Sequence, residues 1–224
     1  MLKYFGGREI LMKAVIILAI IILIVVSFFS SPQGKGIVGE FITKLFIGRT
    51  KEGKKYVFNN YKIVINGKSS QIDHIVVNKN GVFVIETKNY SGEIYGSENQ
   101  MEWTQVLAGG NVENKFYNPV KQNKSHIYQL SQILPSNIKI HSLVVFTKNN
   151  TQHIKSSAVC SVYDIRARLK HEEENSLSTK EILQVSQILF ENKNDKLSKR
   201  KHIKNIKKMF KILKTIFAQG VNLN

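Results

Sequence analysis

Residues 14–29 read AVIILAIIILIVVSFF, sixteen positions without a charge. A helix over these positions rises ~1.5 Å per residue and falls short of a ~30 Å hydrocarbon core. Extension back to Ile10 gives twenty residues, with Lys13 placed to snorkel toward the near interface and Phe28 and Phe29 at the far one. Two readings compete: a membrane anchor, and a cleavable signal peptide with Lys3, Arg8 and Lys13 as its basic n-region. The following SFFSSPQGKG offers no convincing small-x-small cleavage site, which favours a retained anchor over residues 1–31. After the apolar run come Lys35, Lys44, Arg49, Lys51, Lys54 and Lys55, more basic residues than precede it. By the positive-inside tendency the globular part then lies in the cytoplasm of a single-pass membrane protein.

The rest of the 224-residue chain must supply a core, and an apolar fraction of 42% with 12 Phe and 8 Tyr is enough for one. The net charge of +17 favours polyanionic partners, either nucleic acid or an anionic membrane face. Residues 191–224 carry ten Lys/Arg against two acids. Within them Ile203, Ile206, Phe210, Leu213 and Phe217 follow helical spacing, which predicts a basic amphipathic tail. Such a tail has three readings: packing on the domain, lying on an anionic leaflet, or touching DNA phosphates. The single cysteine, Cys160, excludes an internal disulfide and a Cys-cluster zinc site, and suits a reducing compartment.

Between anchor and tail, residues 32–190 read as one domain. SSPQGKG (30–36) is a linker, and the spacing of Ile37, Val38, Phe41, Ile42, Leu45 and Phe46 predicts a short helix carrying Glu40. KYVFNNYKIVING predicts a strand with turn signals, and SGEIYGSENQMEW one or two more ending near Trp103. Asn118-Pro119 starts a helix running to about Ile133. IKIHSLVVFT (138–147) is a buried strand and SAVCSVYDI a weaker one. Ser178 and Glu181 form a capping box ahead of a last helix, ILQVSQILF. No internal repeat is present. The order predicts an α/β fold: a mixed sheet flanked by helices, with an N-terminal transmembrane helix.

The segment IDHIVVNKNGVFVIETK (72–88) is a strand pair that carries two carboxylates and a lysine. Asn80-Gly81 predicts a two-residue type I′ turn. That turn places Asp73 opposite Lys88 and Ile75 opposite Glu86, with Asp73, Glu86 and Lys88 converging on one face. A three-residue loop would reverse this parity. Two close carboxylates repel unless a cation or proton sits between them. A hard divalent ion with a neighbouring lysine is the inventory for phosphodiester hydrolysis. The competing reading is a surface salt bridge, worth ~0–1 kcal/mol. His74 alternates to the other face. On the helix after Asn118, Gln122, His126 and Gln129 form a polar stripe beside an apolar one of Ile127, Leu130 and Leu134. His126 is placed as a supporting or exposed side chain rather than as a base.

QIDHIVVNKNGVFVIETKNYSGEIYG, with Trp103 and NPVKQNKSHI (118–127), resembles the nuclease-related domain (NERD) family, assigned to the PD-(D/E)XK, restriction-endonuclease-like superfamily. The likeness runs from about Gly36 to Leu134, and more loosely to Phe190. It implies a restriction-endonuclease-like fold with Asp73 and Glu86 as metal ligands, the Thr87 carbonyl as a third ligand, and Lys88 as the catalytic lysine. Gln122 matches the helix-borne glutamine of several branches, and Glu40 the acidic residue of the helix before the sheet. For Glu40 an exposed helix glutamate is the competing reading. The motif's proline is absent, since Ile72 precedes Asp73.

These readings lead to an expectation: a membrane-tethered nuclease dependent on Mg²⁺ or Mn²⁺, acting on DNA before RNA. No helix-turn-helix or zinc-finger spacing is present, so sequence specificity is expected to be low or supplied by a partner. A non-catalytic nucleic-acid-binding module and a membrane-associated scaffold are the rivals.

Overall fold

The computed structural model describes residues 2–170 and 176–194. The tail expected over 191–224 therefore lies, from position 195 on, outside the described residues. Helix α1 (Leu2–Ser30) contains the apolar stretch Leu11–Ser30, long and apolar enough to cross a membrane, and none of it is buried against the rest of the chain. Helix α2 (Pro32–Ile47) follows almost at once. The linker expected at 30–36 is thus the start of a helix. Ser31 caps it, its Oγ accepting the Gly34 N–H at 3.1 Å, and Pro32 occupies the first turn, where a missing N–H costs nothing.

Strands β1 (Lys55–Ile65), β2 (Lys68–Asn78) and β3 (Gly81–Lys88) form an antiparallel meander. After β4 (Glu93–Ser97), β5 (Glu102–Leu107), β6 (Val112–Tyr117) and helix α3 (Pro119–Ser131), strand β7 (Ile140–Phe146) returns parallel to β3. Strands β8 (Ile154–Lys155) and β9 (Val159–Ser161) and helices α4 (Ile165–Lys170) and α5 (Thr179–Asn192) complete the described elements. Among the described residues the strands form two mixed sheets, β1-β2-β3-β7-β9 and β6-β5-β4-β8. The α/β class with flanking helices agrees with the sequence; the second sheet is additional. Strand β6 was missed because its residues are nearly all exposed and show no alternation, and α4 because six residues are too few for a periodic signal.

Helices α3 and α5 cover one face of the large sheet, packing Leu130, Ile182 and Leu189 on Ile75, Val77, Val82 and Val84. Helices α2 and α4 cover the other, with Ile47, Ile165 and Leu169 against Val76, Phe83 and Ile85. Each fully buried branched side chain contributes ~1.5–3 kcal/mol. Trp103, wholly buried with Phe146, Val120 and Ile94, joins the small sheet to the large one.

Two Asn-Gly pairs end differently. At Asn66-Gly67 both residues have positive φ (50° and 74°) between the paired Ile65 and Lys68, the geometry of a two-residue type I′ turn. At Asn80-Gly81 the expected turn is not formed. Lys79 and Asn80 make the tip, neither has positive φ, and Asn78 pairs with Gly81. Tertiary contacts decide this. The Asn78 side chain accepts the Asn80 N–H at 2.8 Å, and both asparagine amides donate to the Leu169 carbonyl. Gly81, with φ of 118°, lies so close to β7 that a Cβ would stand 2.9 Å from the Lys139 carbonyl oxygen. The register is therefore displaced by two residues, with Ile75 opposite Val84 and His74 opposite Ile85. A displacement of two conserves face parity. Asp73 loses its expected place opposite Lys88, yet still converges with Glu86 and Lys88.

Candidate active site

The β2–β3 ladder ends at His74 and Ile85. Beyond it the Asp73 carboxylate replaces a main-chain acceptor, taking the Thr87 N–H on Oδ2 at 2.8 Å. The neighbouring β1–β2 pair is irregular at the same level. Phe58 and Tyr61 share one core, as do Ile72 and Ile75, although residues three apart on a regular strand face opposite ways. The flanking pairs Asn59–His74 and Tyr61–Ile72 locate both breaks at Asn60 and Asp73, and Asn60 has φ of 48°. Asparagine tolerates this left-handed backbone better than most residues. The sheet thus opens where the polar residues converge, and irregular strands of this kind re-aim side chains.

Around the opening, Lys88 Nζ lies 2.8 Å from Glu86 Oε1 and donates to Gln122 Oε1 at 3.1 Å. His126 Nε2 faces Glu86 Oε2 at 3.6 Å, and its Nδ1 is bonded to Ser70 Oγ at 2.6 Å. Two buried asparagines hold α3 in place for this. Asn118 accepts the Val120 N–H and donates to the carbonyls of Ser97, Glu98 and Gln100. Asn123 donates to the Val84 carbonyl at 2.8 Å and to Ser142 Oγ at 3.0 Å. On the other side of the sheet, Gly39 lets α2 approach β3, for a Cβ there would stand 2.7 Å from the Asn89 Cβ. That approach brings Glu40 within electrostatic reach of Glu86 and Asp73.

The electrostatics follow from crowding acids into a half-dry opening. Burial, then the Glu86 charge, pushes the Asp73 carboxyl from 3.8 up to about 7, against the pull of the Thr87 N–H. Glu86 is only 4% exposed, and burial acts to raise it, yet His126 and Lys88 together hold it below its ordinary value. Glu40 is raised by burial and by Glu86. His74, on the opposite face and bonded to Asn59 Oδ1 at 2.7 Å, is pushed down to about 4 by burial and then by Lys44.

Asp73, Glu86, Lys88 and Gln122 are thus brought to one opening, and Glu40 acts on it only through its charge, from the α2 side of the sheet. His126 and Ser70 join them. The helical stripe of Gln122 and His126 signalled the first; nothing in a serine three residues past the Asn66-Gly67 turn signalled the second. Among the described residues, no three His, Cys, Asp or Glu side chains form a group able to hold an ion by themselves. The oxygen donors are two carboxylates, with Glu40 adding field. The Thr87 carbonyl projects from the same strand edge as its N–H, toward Asp73. Such hard donors suit Mg²⁺ or Mn²⁺, and a cation would offset the burial and the Glu86 charge that make Asp73 retain its proton. Beside Lys88 a cleft of about 360 Å³ is lined by Pro32, Lys35, Thr87, Asn89, Tyr90 and Gln105.

The comparisons with known proteins cover this region. A family model described as the nuclease-related domain matches residues 35–147, which include Glu40, Asp73, Glu86, Lys88 and Gln122. An uncharacterized protein of Bacillus anthracis is 32% identical over 186 residues, covering 80% of this chain and 87% of that protein. No solved structure matches the chain.

Proposed function

Because the chain belongs to the nuclease-related domain family, we propose that it is a membrane-tethered, metal-dependent nuclease that hydrolyses phosphodiester bonds of DNA. One observation carries this reading above the family assignment. Asp73 and Glu86 are crowded at the end of an opened strand pair, with Lys88 bridging Glu86 to Gln122. A merely structural salt bridge gives no reason for a second carboxylate pushed toward neutrality beside it.

Asp73, Glu86 and the Thr87 carbonyl would hold a Mg²⁺ or Mn²⁺ ion. That ion supplies Lewis acidity and a water of lowered pKa. The remaining work belongs to the side chains. Lys88 exchanges its contact with Glu86 for a phosphate oxygen and stabilises the charge that develops there. Gln122, whose Oε1 accepts from Lys88, fixes the ammonium and keeps its amide N–H groups for substrate. His126, held by Ser70, orients Glu86. The basic surface expressed in the +17 charge retains the nucleic-acid backbone without reading bases. Helix α1 serves as the retained anchor of a single-pass protein with its domain in the cytoplasm.

The test uses the full chain in detergent, with labelled single- and double-stranded DNA and RNA, in Mg²⁺, Mn²⁺ or EDTA. Cleavage should require metal and fall by ~10²–10³-fold in both Glu86→Ala and Lys88→Ala. Salt-sensitive binding without cleavage in every condition would transfer the protein to the non-catalytic class. Equal cleavage by wild type and both variants would remove the hairpin from the reaction.

A further inference from the structure

Helix α2 carries an apolar face that nothing in the described chain covers. Ile37, Phe41 and Leu45 recur every four residues and are 53%, 58% and 57% exposed. Its other side, Gly39, Thr43 and Ile47, is buried on the domain. An exposed stripe of three large apolar residues needs an occupant.

The occupant is indicated by the junction with α1. At Ser31 the two helices meet in a tight elbow: the Ser31 N–H donates to the Ser27 and Phe28 carbonyls, and its Oγ donates to the Phe28 carbonyl at 2.6 Å. Gly34 sits inside the elbow, where a Cβ would overlap the Phe28 carbonyl oxygen and crowd the Phe29 Cα. On a helix, Gly34 shares its face with Ile37 three residues on and Phe41 seven residues on. The exposed stripe therefore lies on the inner side of the bend, facing the way α1 departs. If α1 enters a bilayer, the stripe faces that bilayer. Lys35 and Lys44, exposed on the same helix, would then stand at headgroup level.

We propose that α2 lies in the plane of the membrane, with Ile37, Phe41 and Leu45 in the headgroup–acyl boundary of the leaflet from which the domain projects. Short amphipathic helices of this kind sink their apolar face ~5–10 Å into that boundary. The consequence reaches the site. Pro32 and Lys35, at the start of the same helix, line the cleft beside Lys88, and the Lys35 carbonyl accepts from the Asn89 side chain at 2.8 Å. The cleft mouth then opens at the bilayer surface, and the substrate is a nucleic-acid strand running along the headgroup layer. This last step rests on the anchor and nuclease readings above.

The full chain, reconstituted into vesicles of phosphatidylcholine and phosphatidylglycerol with brominated acyl chains, tests the docking. Single tryptophans replace Ile20 in α1, Phe41 in α2 and Tyr128, which is exposed on α3; native Trp103 is wholly buried and provides a constant background. Phe41→Trp should be quenched most by bromines near the headgroup, Ile20→Trp most by bromines near the chain ends, and Tyr128→Trp by neither. Quenching at Ile20→Trp without any at Phe41→Trp would overturn the docking and leave the anchor standing. If crosslinking then joins two copies through position 41, the stripe is a self-interface and the proposal is wrong. Loss of quenching at both positions would overturn the anchor and the docking together.

Discussion

Asp73→Asn should make the protein more stable at pH 8 and bring little gain at pH 4. In the folded chain Asp73 keeps its proton up to about 7, through burial and the Glu86 charge, whereas an unfolded chain releases it near 3.8. Between those values the unfolded state binds fewer protons, so stability falls as pH rises; below the interval both states are protonated and the penalty vanishes. At ~1.4 kcal/mol per pH unit the full interval amounts to ~4 kcal/mol. Asp73 keeps some contact with solvent, and screening reduces this to ~2 kcal/mol. Asparagine retains an oxygen for the Thr87 N–H and carries no charge, so the variant should recover that amount. For a domain of this size ~2 kcal/mol corresponds to ~4–8 °C in Tm. Thermal unfolding of the full chain in detergent, followed through the near-ultraviolet signal of buried Trp103, reads this directly at pH 4, 6 and 8. Adding Mg²⁺ at pH 8 should raise the Tm of wild type more than that of the variant. A variant less stable than wild type at pH 8, or a gain equal at all three values, would refute the account of Asp73 as a carboxyl crowded by its neighbours.

His74 should stay neutral until about pH 4 in a side-chain NMR titration; because the unfolded chain protonates near 6.5, this residue lowers stability as pH falls through that window. Gly67→Val forces a branched side chain into φ of 74° and should cost ~1–2 kcal/mol in chemical denaturation. Ser178→Ala removes a capping box in which Ser178 and Glu181 are reciprocally bonded, and should cost ~1 kcal/mol in the same assay.

The candidate site was legible as a candidate because its residue types are costly in their setting. Two carboxylates and a lysine at the end of an apolar strand pair have few purposes, and period-two alternation puts Glu86 and Lys88 on one face whatever the turn. Helix starts at Pro119 and Thr179 were legible for a local reason: the caps Asn118 and Ser178 act within four residues. The turn at Asn80-Gly81 was not, since the Leu169 carbonyl and the Lys139 backbone that decide it lie about 60 to 90 residues away. Its twin at Asn66-Gly67 forms the type I′ turn that local preference favours.

The sequence by itself determined that one helix is apolar enough to span a membrane, that the core is α/β, and which polar residues had to find partners. Tertiary structure decided how those residues meet. The break at Asn60 and Asp73 arises where two strands must bend together, Glu40 arrives from across the sheet only because Gly39 lets α2 close on Asn89, and His126 reaches Glu86 because Asn123 holds α3 to Val84. Local rules act over a few residues; a site assembled from two faces of a sheet depends on packing between segments distant in the chain.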